Sequence, residues 1–208
     1  RNFAMALFYL SDPWNDSFDG YGTLSNLSIT NTALQAQDHS VAAVETQVNN
    51  WHMELQGLIP VTKSNLLDVF YNWGEEYHIE MDVEINQELP KAWMNVFHIT
   101  TGSDRPGTSH GQRIPCLNLG KDAQKFEFTS TVNGESIYAT TFNYVPNKKY
   151  HLEIIQKQIR GTGKLIYSIV VDGEVIHSVE NKSPKRFDKV YVFANDPWHD
   201  SFEHYGKL

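Results

Sequence analysis

The feature that most constrains this chain is a block that occurs twice. Ser11-Asp12-Pro13-Trp14-Asn15-Asp16-Ser17-Phe18-Asp19-Gly20-Tyr21-Gly22-Thr23-Leu24 returns as Asn195-Asp196-Pro197-Trp198-His199-Asp200-Ser201-Phe202-Glu203-His204-Tyr205-Gly206-Lys207-Leu208, in register at a constant offset of 184. An apolar run precedes each copy, Ala6 to Leu10 and Val190 to Ala194. Self-similarity at a fixed offset is the mark of an array of modules. The chain therefore reads as the tail of one module (residues 1–30), a connector (residues 31–50) and most of the next module (residues 51–208).

The rest of the sequence says what kind of module this is. Tyr77 to Ile85 alternates apolar and polar residues, as a strand with one buried face does. Further strands are expected at 93–100, 113–119, 125–131, 136–142, 149–158, 164–171, 174–179 and 190–194. Asp172-Gly173 between two of them is a two-residue hairpin signal. Residues 21–29 read as one more strand. Residues 31–49, rich in Ala, Gln and Val without an aromatic, read as an extended connector or a weak helical stripe. Many short strands, polar turns and no clear helix predict an all-β antiparallel two-sheet sandwich.

Charge excludes one class of partner. With 25 acidic against 17 basic residues and a net charge of −8, the surface repels phosphate backbones, so nucleic acid is not expected. Cations and neutral sugars are compatible with it. No apolar run reaches the length of a membrane span. The single Cys116, in the run Ile114-Pro115-Cys116-Leu117, reads as a buried thiol. Asn15, Asn26 and Asn181 each begin a glycosylation triplet.

Several segments together resemble extracellular concanavalin A-like (laminin-G-like) sandwich modules of invertebrate matrix and adhesive proteins. They are the Tyr77 to Ile85 strand, Phe97-His-Ile-Thr-Thr-Gly102, Gly111-Gln-Arg-Ile-Pro115, Val132-Asn-Gly134, Val171-Asp-Gly173, Ser178-Val-Glu-Asn181 and Val190 to Trp198. The resemblance implies a jelly-roll sandwich and a secreted, structural or adhesive role. It also implies that the Asp-Pro-Trp loop is followed by a Gly-x-Leu strand that finishes the sandwich. That strand stands after the first copy (Gly22 to Ile29), so residues 21–30 are expected to pair with a sheet edge. They would do so in the same chain or in a neighbouring copy as a donated strand, and donation would build head-to-tail filaments.

Two sets of residues carry candidate chemistry. The acids Asp12, Asp16, Asp19, Asp196, Asp200 and Glu203 of the two loops offer oxygen ligands for Ca²⁺, although their spacing is not that of an EF-hand; the same acids cap turns while the neighbouring Trp and Phe plug the sandwich end. Glu80, Asp82 and Glu84 share one face of a strand, and the stretch is similar to the Glu-x-Asp-x-Glu strand of some sandwich-fold retaining glycosidases. That likeness implies Glu80 as nucleophile, Asp82 as its partner and Glu84 as acid/base; the plain reading is a half-exposed strand with its acids in water. The histidines show no zinc-type spacing. Ser109-His110 is not a triad, because nucleophile and base must meet in space. The function expected is a non-catalytic extracellular module that self-associates, with a lectin-like glycan-binding module and a glycosidase as the alternatives.

Overall fold

The computed structural model describes residues 22–34, 48–59, 61, 64–85, 94–102, 109–120, 124–196 and 198. They form twelve strands: β1 Gly22–Leu34, β2 Val48–Ile59, β3 Leu66–Trp73, β4 Glu76–Ile85, β5 Met94–Thr100, β6 Cys116–Leu119, β7 Lys125–Val132, β8 Glu135–Asn143, β9 Lys149–Gln158, β10 Leu165–Val171, β11 Glu174–Glu180 and β12 Phe187–Phe193. Two six-stranded sheets result, in the orders β11-β10-β9-β4-β1-β2 and β3-β12-β5-β6-β7-β8. Every pairing is antiparallel. The chain is an antiparallel β-sandwich.

Alternation explains which face of each strand enters the core. On β4, Tyr77, Ile79, Met81, Val83 and Ile85 are buried while the residues between them are half-exposed. Opposite them the second sheet contributes Phe70, Trp73, Phe97, Ile99, Leu117, Phe126, Phe128, Val190 and Val192 to one continuous core. Asp172 (φ 51°) and Gly173 (φ 82°) make the β10–β11 hairpin in the left-handed region that such a turn needs.

The segment after the first repeat has a definite place. β1 lies inside the first sheet, hydrogen-bonded to β2 on one side and β4 on the other. Leu24, Leu27 and Ile29 are fully buried. This strand therefore pairs within its own chain. β1 continues to Leu34 and β2 begins at Val48, so the described ends of the expected connector are strand. Local propensity could not show this, because the polar residues of 30–34 and 48–50 are held by backbone ladders rather than by an apolar stripe. β2 and β3 had no separate sequence signal. Residues 1–21, 35–47 and 199–208 lie outside the described residues, and with them Asp12, Asp16, Asp19, Asp200, Glu203 and the glycosylation triplet at Asn15.

Candidate functional site

Four places gather polar or aromatic side chains: a buried clasp under the second repeat, the outer face of the first sheet, a ring-lined strip on the outer face of the second, and a polar cleft at one end of the first sheet.

The clasp is built on Asp196. His98 Nδ1 donates to its Oδ2 at 2.7 Å, and the Trp198 backbone N–H donates to its Oδ1 at 2.9 Å. The backbone N–H of Asp196 donates in turn to Asn95 Oδ1 at 3.0 Å. The other ring nitrogen of His98, Nε2, donates to the Gln112 carbonyl. With Asp196 ionised, both partners only accept, so the imidazole facing them carries two N–H groups and is cationic. Burial alone pushes the His98 pKa down; the Cys116 sulfur across the strand pair and the hydrogen-bonded Asp196 carboxylate reverse this and raise it to about 10. Trp198 stands edge-on to the imidazole, with ring centroids 5.5 Å apart. The segments 97–102, 111–115 and 190–198, widely separated in sequence, thus meet around one buried histidine. Of the six acids expected to bind Ca²⁺, Asp196 is the one described, and its carboxylate is balanced by an imidazolium. Cys116 is buried, as expected of a thiol in an apolar run.

The outer face of the first sheet carries Glu80, Asp82 and Glu84 as the alternation requires. Asp82 and Glu80 have different partners. Burial opposes ionisation of Asp82, but hydrogen bonds from Lys149, His151 and Asn26 prevail and hold its carboxyl below the usual range. Glu80 instead shares His78 with Glu153: His78 Nε2 lies 3.1 Å from Glu80 Oε1 and 2.8 Å from Glu153 Oε2. No spacing rule could find this trio, because Glu153 arrives from β9 through the sheet register. Of the glycosylation triplets, Asn26 is exposed, whereas Asn181 is buried with its amide donating to Gln156 at 2.8 Å.

The third place comes from β12 and its neighbour β3, an edge strand. Val190, Val192 and Ala194 enter the core, so Lys189, Tyr191 and Phe193 point outward. Register sets Lys189 beside Tyr71, Tyr191 beside Val69 and Phe193 beside Leu66. Tyr71 is 52% and Leu66 45% exposed on β3. The rings of Tyr191 and Phe193 stack at 6.4 Å and 22°. Lys189 Nζ sits 4.6 Å from the Tyr191 ring and 5.7 Å from the Tyr71 ring. One wall of the strip is backbone: a Cβ on Gly102 would lie 2.8 Å from the Tyr191 ring, so only glycine lets this loop seat the ring. The apolar run 190–194 was legible in the sequence, but the partner strand that turns it into a strip was not.

A separate cleft of about 370 Å³ lies at one end of the first sheet, lined by Glu75, Gln158, Lys164, Glu180 and Lys182 among others. It is polar, and its rim is tied by the ion pairs Lys164–Glu180 at 3.2 Å and Arg186–Glu75 at 3.1 Å.

No protein-family model and no curated protein matches the sequence. Among solved structures the chain is similar to the carbohydrate binding module CBM66 from Bacillus subtilis, with 12% identity, 64% of this chain and 89% of that chain covered, and a TM-score of 0.26.

Proposed function

We propose that the chain is a non-catalytic adhesive module that holds neutral glycan chains on the strip formed by Tyr71, Lys189, Tyr191 and Phe193. The observation that carries this reading is the pair of stacked, half-buried rings on β12, Tyr191 seated against Gly102, beside the exposed Tyr71 of β3. Sugar rings present flat C–H faces that pack on aromatic faces, while their hydroxyls need a donor nearby, which Lys189 supplies. The net charge of −8 disfavours polyanionic chains. The resemblance to extracellular sandwich modules and the duplicated Asp-Pro-Trp block support a secreted protein whose modules recur, so that several weak strips act together.

Electrophoresis through gels containing dissolved neutral polysaccharides tests this. At least one polysaccharide should retard the protein, and Tyr71→Ala should weaken that retardation about tenfold, as loss of a central aromatic contact does. Retardation unchanged by Tyr71→Ala and Tyr191→Ala together would contradict it. The retarding polysaccharide should release no reducing sugar on incubation; hydrolysis abolished by Glu84→Gln would instead make the protein a glycosidase.

Self-association is a second reading, favoured by the edges. Among the described residues the 12-residue strand β2 pairs with β1 alone. An edge of that length presents unpaired backbone groups to a second chain. The route proposed is pairing along this edge, with residues 22–34 seated between β2 and β4. Sedimentation velocity over a concentration series should then show dimers or larger species; a single monomer boundary throughout would exclude it.

A further inference from the structure

We infer that His78, Glu80 and Glu153 form a binding site for a divalent transition metal of the zinc type on the outer face of the first sheet. One imidazole nitrogen and two carboxylate oxygens lie within 4.8 Å of one another. They come from two hydrogen-bonded strands, with Glu80 and Glu153 as direct cross-strand partners and His78 two residues along β4. Two carboxylates set directly opposite one another repel and destabilise a strand pair unless a cation lies between them. The backbone register fixes this opposition, so only side-chain chemistry can relieve it.

The geometry suits a metal. Donors bound to zinc at about 2.0–2.2 Å in a tetrahedron stand about 3.3 Å apart. His78 Nε2 is 3.1 Å and 2.8 Å from the two carboxylate oxygens, close to that spacing, and all three donors lie within 4.8 Å of one another, within reach of side-chain rotation around an ion. The side chains are 39%, 39% and 20% exposed, which leaves the fourth position to water. A mixed nitrogen and oxygen set favours zinc, nickel or copper over calcium, which prefers six or more oxygens. His52 and Glu54 stand on β2 in the same rows of the face, but β1 separates them from the trio by two strand spacings, about 10 Å.

Isothermal titration of Zn²⁺ into the metal-stripped full chain tests the site, with Co²⁺ as a spectroscopic probe. One equivalent should bind, and His78→Ala and Glu153→Gln should each weaken that equivalent by about a hundredfold or more. Bound Co²⁺ should show d–d bands that His78→Ala removes. Glu153→Gln keeps the side chain's size, so an unchanged melting temperature without metal certifies its fold. No binding by the wild-type chain, or an equivalent that survives both substitutions, would overturn the inference. Glycan retardation is measured independently and does not depend on this result.

Discussion

Asp196 caps its own turn and holds a buried histidine at the same time. It accepts from a cationic His98 and from its own turn, and donates its backbone N–H to Asn95. Removing one partner of such a pair strands the other charge in the interior. Asp196→Asn or His98→Gln should therefore cost about 3–5 kcal/mol in chemical denaturation. The pH dependence follows from the direction of the shift. His98 holds its proton up to about pH 10 in the folded chain, against 6.5 when unfolded. Its stabilising contribution is full below pH 6.5 and disappears as pH rises toward about 10. The melting temperature should fall across that window in the wild type and fall less in His98→Gln; equal slopes would remove His98 from the explanation. The pair was invisible in the sequence because 98 positions separate its members, and nothing local marks a histidine as buried and charged.

At the scale of elements, the strand after the first repeat is the informative case. Gly22 to Ile29 was readable as a strand in search of an edge, and the structure seats it between β2 and β4 rather than at a border. Its burial is complete at Leu24, Leu27 and Ile29. Leu27→Ala should lower stability by about 2–5 kcal/mol, as truncation in a packed core does, and deletion of residues 1–34 should leave no cooperative melting transition. A truncated chain that melts like the full one would show that β1 is dispensable. The alternating strands from 77 onward were legible because one face of each is dry: β4, β9 and β10 lie close to their expected bounds. β2 and β3 were not, because edge strands with mixed faces have no clean period.

At the scale of the whole molecule, the sandwich turns two outer faces to solvent with different chemistry. The first sheet carries histidines and carboxylates, the second carries rings around Lys189. The sequence marked Glu80, Asp82 and Glu84 on one strand of the first face, but each face is completed by register between strands far apart in the chain, so neither full constellation was legible. The glycan reading commits to the second face. The direct test is backbone amide chemical-shift mapping of the full chain with an oligosaccharide cut from the retarding polysaccharide. The shifts should concentrate on Val69 to Asn72, Lys189 to Phe193 and Gly102. Shifts confined instead to the cleft at Glu75, Lys164 and Glu180, or to the β4–β9 face, would contradict it.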